Sequence, residues 1–271
     1  MYMVLGIDTL EAVKRGFEES DLIFENRYTT QMVQATPMEP HSCACQWDSL
    51  GNLTVWRGTS MPFEIRERLA RFLNISPEKI RVISPTFGGG FGSREDDLEI
   101  VCAIIAKRTG RPVKAVLSRE EVFYTTRVRH PSIVKLKTGV KRDGTFVARQ
   151  AEVIYDAGAY VDRGPYVILR ALRPLALYRS PNLRFEAYLV YTNKPIGGAM
   201  RGFGNPQACF AIESQIDEIA RELNIDPIEF RLRNLIQEGD LNIAVGLPDA
   251  NARYKPFGLK IGKCGVRECL S

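Results

Sequence analysis

The sequence predicts an α+β fold, with mixed and antiparallel sheets and interspersed helices. The strongest strand signal is a hairpin, because Ser132–Val140 and Thr145–Tyr155 flank Asp143–Gly144, a dipeptide that favours a tight β-turn. The strongest helix signals are Pro62–Leu73, which is amphipathic with proline in its first turn, and a run that opens at Asn205–Pro206. Because hairpin strands and helices are mixed along the chain, we expect the α+β class.

The remaining elements follow from apolar residues that recur with the period of a strand or of a helix. Before residue 86 the pattern predicts a helix at 10–20 capped by Thr9, strands at 22–34, 53–57 and 80–83, and strand-like residues after a loop containing Pro37 and Pro40. After residue 92 it predicts a helix at 97–107, strands at 113–118 and 183–191, and helices at 205–223 and 226–236. Ser93 and Asp96 have the spacing of a capping box for the helix at 97–107.

Length and composition restrict the class of protein. The chain has 271 residues, of which 45% are apolar and 25% charged, as is usual for soluble globular proteins. No apolar run approaches the roughly 20 residues that span a bilayer, and the N-terminus lacks the pattern of a signal peptide. The net charge of +5 arises from basic residues interleaved with acidic ones, which is typical of solvated helix faces. We expect neither a membrane nor a nucleic acid as partner.

Cysteine and histidine offer little for a protein-bound metal. The six cysteines are scattered and form no C-x-x-C pair, which predicts reduced thiols in a cytoplasmic protein. Cys43 and Cys45 either share a soft metal or alternate as small residues along a strand, and the strand is the favoured interpretation. His41 and His130 are the only histidines, too few for a histidine metal site. We expect a structural hydrogen bond from His41.

The stretch TFGGGFGSRE at residues 86–95 raises the question of a nucleotide site. A dinucleotide fingerprint needs glycines at i, i+2 and i+5, followed about 20 residues later by an acid. Gly88 and Gly90 fit, but the third position is Ser93, and the candidate acids Glu120 and Glu121 lie too far downstream. A P-loop is excluded because Gly-Lys-Ser/Thr is absent. The stretch is then either a sharp turn at a helix start or a loop whose N–H groups approach an anion.

A second stretch, GGAMRGFGNPQ at residues 197–207, has the same character. Two glycines precede Arg201, Gly-Phe-Gly follows, and a helix is predicted from Asn205. Two glycine loops that contain phenylalanine, each expected at a helix N-terminus, suggest one ligand held from two sides.

Both stretches resemble motifs of the xanthine oxidase family, the molybdenum hydroxylases, in its molybdenum-binding chain. Further similar motifs follow in the family's order: TPMEPH (36–41), TGRPVK (109–114), DAGAY (156–160) and ELNIDPIEFRLRNLI (222–236). The resemblance implies a molybdopterin-binding domain at residues 36–240, the first of two in the family. Residues 1–35 would lead in from a preceding region, and residues 241–271 would be a linker or the start of the C-terminal domain.

The resemblance also implies a reaction and its cofactors. A pterin-bound molybdenum would hydroxylate an electron-poor carbon with oxygen from water. Its ligands would come from the cofactor and solvent and from no protein side chain. The substrate would be an N-heterocycle such as a purine or nicotinate, or an aldehyde. Iron–sulfur clusters and FAD are expected on partner domains or subunits.

Site residues carry over from the family position by position. The implied cofactor contacts are Gly89, Gly90, Phe91, Gly92, Met200, Arg201, Gly202 and Phe203. Glu95 would hydrogen-bond to substrate, Arg170 would stabilise charge developing on it, and Phe203 would pack against a flat heterocycle. Each residue also has a plainer structural interpretation. Glu95 would be an acid in the first turn of a helix, and Phe203 would be a core residue. Arg170 would form a surface ion pair, in which case Arg173 would take its role at the site.

The sequence departs from the family pattern in three respects. Gly58-Thr59-Ser60 stands where many members carry a glutamine near the metal. The general base, a glutamate in a G-x-G-E stretch of the C-terminal domain, has no counterpart in these 271 residues, and the family's N-terminal part is also missing. We therefore expect the chain alone to be inactive and to need a partner that carries the base. The alternatives are a non-catalytic remnant or assembly subunit and, less favoured, a dinucleotide-binding module.

Overall fold

In a computed structural model, the structure describes residues 2–6, 10–94, 96–242, 259–265 and 268–269. The chain forms two compact units. The first comprises Met1–Met32, His130–Gly197 and Gly202–Ser271, and the second comprises Val33–Arg129 and Gly198–Arg201. No helix among the described residues has the length and apolar character needed to cross a membrane.

Helices and strands are mixed along the chain, which confirms the predicted α+β class. The helices are α1 (Leu10–Glu18), α2 (Pro62–Leu73), α3 (Leu98–Thr109), α4 (Arg119–Thr125), α5 (Gly164–Arg170), α6 (Leu172–Leu175), α7 (Asn205–Glu222) and α8 (Pro227–Asn234). The strands are β1 (Tyr2–Gly6), β2 (Leu22–Thr30), β3 (Val33–Gln34), β4 (Ser42–Trp47), β5 (Leu53–Arg57), β6 (Ile80–Ile83), β7 (Val113–Val116), β8 (Val128–Arg129), β9 (Ser132–Val140), β10 (Phe146–Gly158), β11 (Asn182–Tyr191), β12 (Leu241–Asn242) and β13 (Leu259–Lys260).

The first unit is built on a five-stranded sheet with the order β1-β11-β10-β9-β2. Neighbouring strands in this sheet are antiparallel, except for β10 and β11, which are parallel. The predicted hairpin is confirmed: Gly144 lies at φ +89° and donates its N–H to the Lys141 carbonyl oxygen at 2.9 Å. This is a left-handed conformation that glycine adopts without a steric penalty. The buried side chains of β9, β10 and β11 form the core together with those of α5, α6 and α7.

The two C-terminal helices of this unit start where the sequence predicts. Pro206 lies in the first turn of α7. Asp226 caps α8, and its carboxylate accepts the N–H groups of Ile228 and Glu229 at 2.9 and 3.0 Å. Buried residues of α7 recur three and four positions apart, so one face of this helix packs into the core.

The second unit is built on a four-stranded sheet with the order β6-β5-β4-β7, in which β5 and β6 are parallel and the other pairs antiparallel. Its core lies between this sheet and the helices α2 and α3. Cys43 and Cys45 point inward from β4, and Cys102 of α3 joins them in the core. This placement favours the strand interpretation of Cys43 and Cys45. Among the described residues, no group of three or more His, Cys, Asp or Glu side chains is arranged to hold a metal ion.

Three local predictions were wrong. The strand predicted at 22–34 ends at Thr30, because β3 pairs with β8 in a separate two-stranded sheet. The strand predicted at 113–118 ends at Val116, because Ser118 instead caps α4 in a capping box with Glu121. Ser93 and Asp96 form no capping box, since α3 begins only at Leu98. The predicted cap Thr9 lies outside the described residues.

Candidate cofactor site

The first glycine loop, residues 87–93, contains three residues with positive φ. Gly89, Phe91 and Gly92 have φ values of +94°, +51° and +89°. A positive φ is costly for a residue with a side chain, so Phe91 is held there by its surroundings. Successive backbone N–H groups in a glycine-rich turn are a common way to bind an anion.

The hydrogen bonds of this loop leave its centre open. At its start, the N–H of Gly88 donates to the Glu39 carboxylate at 2.6 Å and that of Gly89 to the Phe87 carbonyl at 3.0 Å. At its end, the N–H of Ser93 donates to the Gly90 carbonyl at 2.9 Å. Within the described part of the chain, the intervening N–H groups at positions 90, 91 and 92 have no acceptor. These groups are therefore available to a ligand.

The second stretch contributes residues 198–201 to the same unit, beside the first loop. Gly198 donates its N–H to the Val128 carbonyl at 2.9 Å, and the Arg129 guanidinium donates to the Arg201 carbonyl at 2.7 Å. The N–H of Arg201 donates to the Phe91 carbonyl at 2.8 Å. The two stretches that the sequence singled out thus share a direct backbone hydrogen bond.

Gly92 is required by this close approach. A Cβ atom at Gly92 would lie 3.0 Å from the Ala199 carbonyl oxygen and 3.2 Å from the Met200 Cα. Because these neighbours are backbone atoms, they cannot rotate away as a side chain does. The positive φ and the contact both select glycine at this position.

Gly202 and Phe203 belong to the first unit, where they lead into α7. Gly202 lies at φ +86° and Phe203 at φ +55°, and Phe203 is 37% exposed. Gly204 is the N-cap of α7, and its carbonyl accepts the Tyr155 hydroxyl at 2.9 Å. The plain alternative of a buried core position for Phe203 does not agree with this exposure.

The prediction that both loops lie at helix N-termini was right only for the second. Positions 94–97 separate the first loop from α3. The Asp96 carboxylate accepts the Leu98 N–H at 3.1 Å and also binds His41 and Arg57. The first loop is therefore not at a helix N-terminus, and a ligand there would meet its backbone N–H groups without a helix dipole.

The predicted substrate residues have different outcomes. Glu95 lies outside the described residues. Arg170 is the last residue of α5, is half-buried, and has no hydrogen-bond or ion-pair partner among the described residues, so the ion-pair alternative has no support there. Its neighbour Arg173 is exposed on α6. Ser60, at the position of the family glutamine, is also exposed.

A buried charged cluster lies behind the first loop, and sequence analysis missed it except for His41. Arg57 binds the Asp96 carboxylate at 2.8 Å and also binds Glu99. Arg68 binds Glu99 as well and donates to the Asp96 carbonyl at 2.9 Å. His41 Nδ1 lies 2.5 Å from the other oxygen of Asp96, which confirms the predicted structural hydrogen bond.

The cluster determines the ionisation of Asp96. Burial alone raises the pKa of its carboxyl group, but the hydrogen bond to His41 and the positive charge of Arg57 outweigh it. The pKa of Asp96 is therefore far below its usual range, and the carboxylate stays charged inside the unit. No local sequence pattern indicates this cluster, because its members come from β5, α2, α3 and two loops.

The arrangement fits a pterin cofactor that carries anionic oxygens. It offers free backbone N–H groups at positions 90–92 and the exposed side chain of Arg201. Residues 199–201 lie so close to the loop that a Cβ at Gly92 has no room. Backbone N–H groups and an arginine are the groups that hold anionic oxygens in proteins. The α+β fold and this loop with free N–H groups fit a cofactor-binding module.

The family model of the molybdopterin cofactor-binding domain matches residues 6–235, so the chain belongs to that family. The nicotinate dehydrogenase large molybdopterin subunit of Eubacterium barkeri is 39% identical over 229 residues, which are 84% of this chain and 54% of that protein. The xanthine dehydrogenase molybdenum-binding subunit of Escherichia coli O157:H7 is 35% identical over 261 residues, which are 95% of this chain and 33% of that protein. The resemblance predicted from the motifs is confirmed.

Solved structures agree with the sequence relatives. The aldehyde oxidoreductase from Desulfovibrio gigas has a TM-score of 0.88 at 25% identity, over 100% of this chain and 28% of that chain. Quinoline 2-oxidoreductase from Pseudomonas putida 86 has a TM-score of 0.85 at 26% identity, over 100% of this chain and 34% of that chain. The chain thus spans about half the length of the nicotinate dehydrogenase protein and about a third of the other proteins.

Proposed function

We propose that these 271 residues form part of the molybdopterin-binding portion of a molybdenum hydroxylase. The reaction is hydroxylation of an electron-poor carbon, with water as the oxygen source. The observation that supports this most directly is the open row of N–H groups at positions 90–92, joined to residues 199–201 by the bond between Arg201 and Phe91. Such a row is what an anionic group of the cofactor requires.

When bound, the molybdenum cofactor supplies the oxygen-transfer and electron-accepting chemistry. The contributions of this chain are positional and electrostatic. The N–H groups of Gly90, Phe91 and Gly92 donate hydrogen bonds to the cofactor. Gly89, Met200, Arg201, Gly202 and Phe203 provide further contacts. These donors are preorganised, so they need no rearrangement when charge develops.

Three side chains act on the substrate in this proposal. Arg170, which has no partner among the described residues, stabilises negative charge that develops on the substrate. The exposed ring of Phe203 packs against a flat substrate. Glu95 forms a hydrogen bond with the ring edge of the substrate.

We propose an N-heterocycle such as a purine or nicotinate as the substrate, with an aldehyde as the second candidate. A flat aromatic packing residue and a carboxylate together favour a ring with polar edges over a simple aldehyde. The names of the relatives include nicotinate, xanthine, quinoline and aldehyde, so both substrate classes occur among them.

The general base belongs to a second molybdenum-binding domain or subunit, and iron–sulfur clusters and FAD belong to further partners. A base is needed because a proton must leave the attacking oxygen as the carbon–oxygen bond forms. No G-x-G-E stretch occurs in the 271 residues. We therefore propose that they do not turn over alone.

The test is expression of the chain alone and together with its genomic neighbours. We expect stoichiometric molybdenum and pterin, and hydroxylation of purines or nicotinate, only in the co-expressed complex. Absence of molybdenum and pterin in both preparations would contradict the proposal and favour a remnant or assembly subunit that keeps the fold without the cofactor.

A matched pair of variants tests the role of Arg170 in that complex. We expect Arg170→Met to lower kcat/KM by about 100-fold or more, the usual loss when an electrostatic stabiliser of the transition state is removed. Arg173→Met, on the next helix, should leave kcat/KM unchanged. The opposite result would assign the role to Arg173.

A further inference from the structure

The first glycine loop is held by a carboxylate from a distant part of the chain. Glu39 precedes β4 by a few residues, and its Oε2 accepts the N–H of Gly88 at 2.6 Å. The approach is close, since a Cβ at Gly88 would lie 2.7 Å from the Cβ of Glu39. A short hydrogen bond to a charged acceptor is among the stronger ones in a protein.

Arg94 completes this support from the other side. Its Nε donates to the Gly89 carbonyl at 2.7 Å, and its Nη2 donates to the Glu39 carbonyl at 3.0 Å. The same Nη2 lies 3.1 Å from Glu39 Oε1, and the guanidinium stacks 5.1 Å from the centre of the Phe87 ring. Arg94 is only 6% exposed, so these contacts largely exclude water.

The support is tied in turn to the buried cluster. Arg57 donates to the Arg94 carbonyl at 3.2 Å while it binds Asp96 and Glu99. The beginning of the loop is thus joined to the core of the second unit through Arg94 and Arg57. Its middle is joined to Arg201 through the Phe91 carbonyl. The free N–H groups at positions 90, 91 and 92 lie at this second attachment and directly beside it.

We propose that Glu39 and Arg94 are positioning residues for cofactor binding. They hold residues 88 and 89 so that the N–H groups of positions 90–92 stay directed at the anionic oxygens of the ligand. Neither side chain is assigned a contact with the ligand. The identity of the ligand depends on the proposed function, whereas the effect on the loop does not.

The role of Glu39 is geometric, because its charge opposes an anionic ligand. The ion pair with Arg94 offsets that charge. A neutral side chain with the same acceptor oxygen should therefore maintain the loop and the affinity for the cofactor. This distinguishes positioning from electrostatic attraction, for which the charge itself would matter.

The test compares Glu39→Ala with Glu39→Gln and with a control, Glu67→Ala. Glu67 is in an exposed ion pair with Arg66 in the same unit. Amide hydrogen exchange of residues 86–93 in the 271-residue chain is the first measurement. We expect exchange to rise about tenfold or more in Glu39→Ala, as loss of a hydrogen bond to a charged group implies. It should stay near the wild-type rate in Glu39→Gln and Glu67→Ala.

The second measurement is the pterin content of the co-expressed complex. We expect Glu39→Ala to lose most of its pterin and Glu39→Gln to retain it. Arg94→Lys, which keeps the charge but loses the Nε bond to Gly89, should resemble Glu39→Ala.

Two results would overturn the inference: unchanged exchange at residues 86–93 in Glu39→Ala, or raised exchange with full pterin content. If wild-type complex contains no pterin, the proposed function fails, while the exchange result still decides whether Glu39 holds the loop.

Discussion

At the scale of single residues, the site depends on backbone conformations that only a few residue types accept. Gly89 and Gly92 have positive φ, and Phe91 is held in the same region despite its side chain. The glycine pattern of the sequence indicated the loop correctly, because glycine is the residue that permits such turns. It did not indicate which N–H groups are free, since that depends on Glu39 and residues 199–201, which are remote in sequence.

Gly92→Ala tests this conformational requirement against Gly110→Ala. Both glycines have positive φ, but a Cβ at Gly110 meets nothing within 4 Å. We expect Gly110→Ala to destabilise the chain by about 1 kcal/mol, the cost of a left-handed alanine. Gly92→Ala should cost about 2–3 kcal/mol, because the contact with Ala199 adds to that strain.

Urea unfolding measures both values, and the pterin content of the co-expressed complex should fall only in Gly92→Ala. Equal destabilisation by the two substitutions would show that the approach of residues 199–200 to the loop does not constrain position 92.

At the scale of elements, strands with a clear apolar pattern and long helices were predictable, and short helices were not. The bounds of α2, β5 and β6 agree with the prediction, because each has clear periodicity or a strong local signal. Helices α4, α5 and α6 were missed, since four to seven residues are too few to show a helical period. The start of α3 was predicted to within one residue, but the capping box of Ser93 and Asp96 was wrong. The Asp96 carboxylate binds Arg57 and His41 and accepts the N–H of Leu98.

The cluster that joins these elements predicts a dependence of stability on pH. The pKa of Asp96 is lowered in the folded state, so its stabilising contribution is complete above the unfolded pKa of about 4. It is lost progressively as the pH falls from there toward the lower folded pKa. Asp96→Asn should cost about 3 kcal/mol near neutral pH, because it leaves Arg57 with one buried charge partner fewer.

Urea unfolding between pH 3 and pH 7 measures this effect, with Asp97→Asn as the control. The Asp97 side chain is 60% exposed and has only long ion pairs. We expect a flatter loss of stability in acid for Asp96→Asn than for either the wild type or the control. The same acid slope in all three proteins would show that Asp96 is not the group responsible.

At the scale of the whole molecule, each unit has its own core, and the six cysteines are divided unevenly among buried and accessible positions. Cys43, Cys45 and Cys102 are buried, Cys209 and Cys264 are half-buried, and Cys269 is exposed. Hydrogen bonding to Cys102, together with burial, raises the pKa of Cys45 to about 12. The side chains of Cys43, Cys45 and Cys102 are at most 2% exposed, so a thiol reagent reaches them only when the second unit opens.

Labelling with a thiol reagent at pH 8 should follow this division. We expect Cys269 to react first and Cys209 and Cys264 more slowly. Cys43, Cys45 and Cys102 should react only on unfolding, at least about 100-fold more slowly than Cys269 under native conditions. Mass spectrometry of the labelled peptides identifies each site. Rapid labelling of Cys43 or Cys45 in the native chain would contradict the placement of β4 in the core.

The second unit is not a continuous piece of chain, because residues 198–201 reach it from beyond residues 130–197. An excised fragment of residues 33–129 would retain Glu39, Arg94 and the glycine loop, yet the Phe91 carbonyl would lose its donor. Residues 198–201 would be absent from a fragment that still contains every strand of the four-stranded sheet. We therefore expect a deletion or permutation that separates residues 198–201 from this unit to leave its sheet intact and to remove one side of the proposed cofactor site.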